Sequence, residues 1–167
     1  RDHSASSDTA VLEILSPEEV RRAKDTGALV ADILQALKAR CAVGTNLLDI
    51  DRWARDMIAE AGAQSCYVDY EPAFGRGPFG HYVCTSVNDA VLHGRPHDYA
   101  LADGDLLTLD LAVTLDGVVA DSAVSFVVGE TRSAADLALI DSTERALEAA
   151  IAQVRPGAKT GDLSAAI

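Results

Sequence analysis

The chain has 167 residues, 49% of them hydrophobic, with a formal charge of −12 and an isoelectric point near 4.5. That length supports one domain able to bury roughly two-thirds of its unfolded surface. The charge argues against a phosphate-binding groove, which needs clustered Lys and Arg, and no stretch approaches the roughly 20 apolar residues of a membrane span. The opening "RDHSASSDTA", residues 1–10, is a polar tail without the apolar core of a signal peptide, so the expected location is the cytoplasm. Cys41, Cys66 and Cys84 are odd in number and lack any C-x-x-C spacing, which points to reduced thiols rather than disulfides or a zinc knuckle.

From residue 11 onward the elements follow in order. "SPEEVRRAKDTGALVADILQALKAR" places Ser16 as N-cap, Pro17 at N1 and Glu19 at N3, then repeats Val30, Ile33, Leu34 and Leu37 at helical spacing. A second helix runs from a cap at Asn46, carries Ile50, Trp53, Ala54, Met57 and Ile58 on one stripe, and stops at Gly62. Between Ser65 and Gly80 the chain turns aromatic and Gly-rich, and Pro72 and Pro78 deny a long helix, so short strand pieces and a loop are expected. "HYVCTSV", a short apolar piece around Val91, and "TLDLAVTLDGVVADS" read as strands before Ser133 caps a third helix.

The stretch from 37 to 54 is similar to the stretch from 151 to 167. In both, a helix ends at a Gly and another begins within a few residues, with Gly44 matching Gly157, Asp49 matching Asp162 and Ile50 matching Leu163. Such an internal repeat implies that neighbouring units complete one another's core. The second unit begins near residue 151 and is cut at Ile167, so the chain reads as half of a repeat pair.

Within "TLDLAVTLDGVVADS", residues 108–122, an aspartate stands in each strand, although aspartate is depleted from strands. A two-residue turn at Asp116-Gly117 sets Leu115 opposite Val118 and Ala112 opposite Asp121, leaving Asp110 diagonal to Asp121 on one face. A four-residue loop would put the two directly opposite, and an odd loop on opposite faces. In either even register the Cβ atoms lie about 5 to 8 Å apart, a spacing at which both carboxylates can grip a metal or a metal pair. Two such charges side by side need a cation or full exposure to solvent. The other face, with Leu109, Leu111, Val113, Leu115, Val118, Val124, Phe126 and Val128, is apolar and is expected to pack on helices. Two carboxylates do not complete a coordination sphere, and His81 and His93 are the histidines outside the tail and the polar loop that holds His97.

Together "VCTSVNDAVLHGRP", "LADGDLLTLDLAVTLDGVVADS" and "SFVVG" resemble the type I methionine aminopeptidases of the pita-bread family, from the first helix to the end. The resemblance implies an α+β fold: a curved antiparallel sheet with helices packed on one face, here as the N-terminal half of a pseudo-symmetric repeat. It implies two divalent ions, of Co, Mn, Fe, Zn or Ni, held by two aspartates, a histidine and two glutamates. Asp110 and Asp121 match the aspartates, while the other three ligands belong to the second repeat. His93 matches a histidine that touches the substrate amide, and Cys66, Cys84 and Tyr70, joined by Phe79, match the surroundings of the methionine pocket. Asn88 matches the place of a monovalent cation.

The implied reaction removes the initiator methionine from nascent chains by a metal-bridged hydroxide, and this chain by itself is expected to be inactive. The implied partners are the N-terminal peptides of nascent chains near the ribosome, with no nucleic acid or membrane, and the missing half or another chain to complete the fold. A non-catalytic pita-bread module that binds peptides or proteins, or an aminopeptidase of different N-terminal specificity, are the alternatives. Ser122 and Ala112 stand where threonines are common, no basic residue follows Ser122, and the loop over 69–82 is longer than expected. These departures bear on side-chain selectivity more than on metal binding.

Overall fold

The computed structural model describes residues 14–71, 75, 77–130 and 133–167; the polar tail and Pro72 lie outside them. The elements are α1 (Pro17–Arg40), α2 (Leu47–Glu60), β1 (Gln64–Ser65), β2 (Cys84–Val87), β3 (Leu106–Leu115), β4 (Val118–Val127), α3 (Ala134–Ile151) and α4 (Thr160–Ala166). α1 starts where its signals place it. The Ser16 hydroxyl accepts the N–H of Glu19, and the Glu19 carboxylate accepts the N–H of Ser16, satisfying two donors that the first turn would otherwise leave open. Asn46 caps α2 through the N–H of Leu48, and Ser133 caps α3 through that of Asp136.

The sheet is antiparallel throughout. β4 runs along one edge of β3 over its whole length, and β2 and β1 share the other edge. The Asp116-Gly117 turn has positive φ at both residues, 49° and 78°, as a two-residue hairpin requires. The register follows: Leu115 opposite Val118, Ala112 opposite Asp121 and Asp110 opposite Ala123. Side chains therefore sort by parity. Leu107, Leu109, Leu111 and Val113, all fully buried, face α1 and α2 and meet Val30, Ile33, Leu34, Leu37, Ile50 and Ile58 in one core. Each such side chain contributes roughly 1.5–3 kcal/mol by leaving water.

One feature differs from the sequence reading. Val91 belongs to no strand and is 87% exposed; the chain between β2 and β3 is irregular. Gly94 in this segment presses its backbone on β2, donating to Ser86 Oγ and accepting from the N–H of Thr85, with too little room for a side chain. The close approach, not an apolar strand, holds the segment in place. α3 buries only Ala150 and leaves Leu139 and Leu147 exposed along the border of β4.

The two repeat segments share local geometry. Gly44 and Gly157 have φ of 88° and 87°, and Asp49 and Asp162 each sit in the first turn of the following helix. Continued at the same interval, Thr26, Val30, Leu34 and Leu37 of α1 match Leu139, Thr143, Leu147 and Ala150 of α3. All four α1 residues are buried against the hairpin, whereas of the α3 residues only Ala150 is buried. No helix among the described residues is long and apolar enough to cross a membrane.

Candidate metal and peptide site

The face of the sheet away from the core carries the candidate site. Cross-strand pairing puts Cys84 beside Asp110, and Asp121 lies one diagonal further along the same face. Asp110 is half-buried and Asp121 is exposed. Burial holds the Asp110 carboxyl above its usual range, against the lowering effect of a hydrogen bond from Tyr67, and the charge of Asp121 raises it further. The Cys84 thiol, buried and facing both carboxylates, is pushed up to about 12. It is therefore a neutral wall rather than a nucleophile.

Tyr67 is the residue that the sequence pattern did not single out. Its hydroxyl lies 3.0 Å from Asp110 Oδ1 and 3.4 Å from Asp121 Oδ1. The chain leaves β1 at Ser65, whose hydroxyl accepts the N–H of Tyr67, and turns so that Tyr70 N–H donates to Tyr67 C=O. Strand alternation thus fails at Tyr67. Burial, then the neighbouring Asp110 carboxylate, raises its phenol well beyond the ordinary range, so it stays a proton donor.

Beside the carboxylates opens a cleft of about 230 Å³ lined by Tyr67, Tyr70, Phe79, Cys84, His93 and Arg95, together with Gly75 and Gly77. Four of the predicted residues, Tyr70, Phe79, Cys84 and His93, come together here. Cys66 is not on this lining: it extends the same sheet face, with its N–H donating to Ala112 C=O and its sulfur 3.3 Å from Thr114 Oγ1. Phe79 meets Tyr67 edge to face at 5.9 Å, and the Arg95 guanidinium lies over the Phe79 ring and donates to its carbonyl. His93 stands at φ 56°, held there by the close packing of Gly94.

The other candidates have structural partners. His81 Nδ1 lies 3.0 Å from Asp51 Oδ2, and Asp51 Oδ1 accepts the N–H of Tyr82, pinning the far end of the 69–82 loop to α2. Asn88 donates from its amide to Asp105 Oδ1 and accepts the N–H of Leu106, bracing the entry to β3. Asp105 also accepts from Tyr99 and Ala102. Although burial alone would raise it, these three hydrogen bonds hold its carboxyl below the usual range.

Among the described residues, no cluster of three or more His, Cys, Asp or Glu side chains is arranged to hold a metal ion. The pair present still suits a hard divalent cation: two carboxylates on one face, one desolvated, each engaging the phenol through a single oxygen and leaving the other oxygen for a metal.

An open antiparallel sheet backed by helices, with paired carboxylates on its free face, is the architecture of a pita-bread metallopeptidase half. The chain belongs to metallopeptidase family M24, which matches residues 21–167, and membership implies divalent metal cofactors. Its similar relatives are methionine aminopeptidases: that of Mycoplasma capricolum is 32% identical over 94% of this chain and 60% of the relative. That of Helicobacter pylori is 36% identical over 92% and 58%. The crystal structure of the Rickettsia prowazekii methionine aminopeptidase matches at 28% identity with a TM-score of 0.85, covering 92% of this chain and 59% of that one. The chain spans about 60% of the length of the curated relatives it matches.

Proposed function

We propose that the chain is the first half of a metal-dependent aminopeptidase that removes the initiator methionine from nascent proteins. The observation that carries the reading is that Asp110 and Asp121 share one sheet face beside Tyr67 and Cys84, two of the residues that line an aromatic cleft together with His93. The names of the relatives support the reaction class. Asp110 and Asp121 would hold two divalent ions of the Co, Mn, Fe, Zn or Ni kind, with one histidine and two glutamates from a second repeat. Bound there, the ions supply Lewis acidity that polarises the first peptide carbonyl and makes water acidic enough to react near neutral pH.

The chain's own residues do the rest. Tyr70, Phe79 and Cys84, with Cys66 on the adjoining surface, would enclose the methionine side chain, whose soft thioether suits aromatic edges and polarisable sulfur. His93, on the cleft lining, would reach the substrate amide and donate to the oxygen on which charge develops. A monovalent cation at this turn would draw on Asn88, whose Oδ1 accepts the N–H of Leu106 and keeps a second lone pair. The substrates would be nascent N-termini near the ribosome, in the cytoplasm, and the 167-residue chain alone would be inactive, since no third metal ligand joins the two aspartates among the described residues.

In the complete protein, Asp110→Ala is expected to abolish metal-dependent release of methionine from a Met-Ala peptide. Wild-type turnover by that variant would end the assignment. His93→Ala is expected to lower turnover with metal content unchanged, so loss of metal there would make His93 a ligand instead.

A further inference from the structure

We infer that Tyr67 is a positioning residue of the metal site: its phenol holds the Asp110 and Asp121 carboxylates turned toward each other and thereby strengthens divalent-metal binding. The inference rests on the reading of the two aspartates as ligands. Tyr67 comes from outside the hairpin, yet its hydroxyl lies within hydrogen-bond reach of both carboxylates, at 3.0 Å from Asp110 and 3.4 Å from Asp121.

Register alone does not fix where those carboxylates point. Each aspartate can rotate about its side chain, and like charges on one face favour rotation apart. A single donor between them opposes that rotation. The shorter bond makes Asp110 the main acceptor, so Asp110 is the better fixed of the two. Each carboxylate has about four acceptor positions, and the bond to Tyr67 uses one oxygen of each, so it need not be broken when a cation is held. Outer hydrogen bonds of this kind orient ligands, and their loss commonly weakens metal binding 10- to 100-fold.

The phenol is itself held. Its ring packs edge to face on Phe79, and Phe79 is pinned by the N–H bond to Tyr70 C=O, by Arg95 at its carbonyl and over its ring, and by the Val68 C=O to Gly80 N–H bond alongside. The neighbouring segment continues to His81 and Tyr82, both tied to Asp51 of α2. A side chain whose ring lines the cleft while its hydroxyl reaches the carboxylates joins the two parts of the site. Tyr67 thereby links how the aromatic loop is seated to how well the carboxylates are aligned.

The test is calorimetric titration of the metal-stripped complete protein with Mn²⁺ or Co²⁺, comparing wild type, Tyr67→Phe and Asp110→Asn. Tyr67→Phe keeps the ring packing and removes only the donor. It is expected to bind about 10- to 100-fold more weakly, with a changed visible spectrum of the Co²⁺ form and a wild-type circular dichroism spectrum in chelator. If Asp110→Asn loses the metal while Tyr67→Phe binds as wild type or more tightly with an unaltered spectrum, the inference about Tyr67 falls and the ligand reading stands. If Asp110→Asn binds as wild type, both fall.

Discussion

Asp121→Asn should stabilise the metal-free chain. Asp110 Oδ1 and Asp121 Oδ1 lie 3.0 and 3.4 Å from one phenol oxygen, so those two atoms are at most about 6.4 Å apart. Even at that outer limit two unit charges repel by roughly 0.6 kcal/mol at the dielectric of water and roughly 2.6 kcal/mol at an effective dielectric of 20. Asp121 is exposed, so screening favours the lower part of this range, about 1 kcal/mol. For a domain of this size about 1 kcal/mol moves the thermal midpoint by roughly 2–4 °C. The effect depends on pH with a definite sign. The folded Asp110 carboxyl is raised, so its contribution to stability is complete below about pH 4 and fades as the pH rises through the raised value. In Asp121→Asn burial still raises Asp110, but the neighbouring charge no longer does. The gain should therefore be near zero at pH 3 and open toward pH 7, followed by circular dichroism during thermal unfolding in chelator. A variant less stable than wild type at pH 7, or a gain equal at both pH values, would refute the reasoning.

Gly94→Ala places a Cβ 2.2 Å from the Thr85 carbonyl oxygen, which must displace the segment that carries His93. A loss of about 2–4 kcal/mol in urea unfolding is expected, and stability equal to wild type would mean that the contact relaxes freely. Asp105→Ala removes the acceptor of three hydrogen bonds at a buried carboxylate and should cost about 3 kcal/mol at neutral pH. Because that carboxyl is lowered in the fold, its stabilisation is present above about pH 4 and lost as the pH falls through the folded value, so wild type and variant should converge in acid. On the reading of a second repeat, Leu147→Glu should change the 167-residue chain by less than about 0.5 kcal/mol but destabilise the complete protein by about 2 kcal/mol or more, measured by denaturant unfolding of each. Equal effects in the two would place the cover elsewhere.

What could be read from the sequence is what local chemistry decides. The Ser16, Asn46 and Ser133 caps, the Asp116-Gly117 turn and the parity it imposes on Asp110 and Asp121 depend on residues close in sequence, and the structure has them as the pattern predicts. The apolar piece around Val91 has the composition of a strand but forms none; the segment is held by the backbone of Gly94 against β2, a contact that leaves no periodic trace. Tyr67 was invisible for a related reason. Its place depends on where the chain leaves β1 and on a loop whose anchors, Phe79, Arg95 and Asp51, are scattered over sequence and meet only in the fold.

The hairpin and the two helix pairs follow from a single geometric constraint. β3 is covered on its apolar face by α1, and burying that face leaves the carboxylates on the opposite one. At the interval that pairs Gly44 with Gly157, the exposed Leu139 and Leu147 of α3 fall at the positions of Thr26 and Leu34, which α1 buries on the hairpin. A second hairpin packed on α3 by the same rule would bury those leucines and turn its own alternate residues to the free side of the sheet. Ligands contributed by that hairpin would then face Asp110 and Asp121 for the same reason that these two face each other: their neighbours in sequence are needed in the core. Core packing and strand parity would thus bring the ligands of both units to one side of the sheet, leaving only the rotation of each side chain to be set by neighbours such as Tyr67.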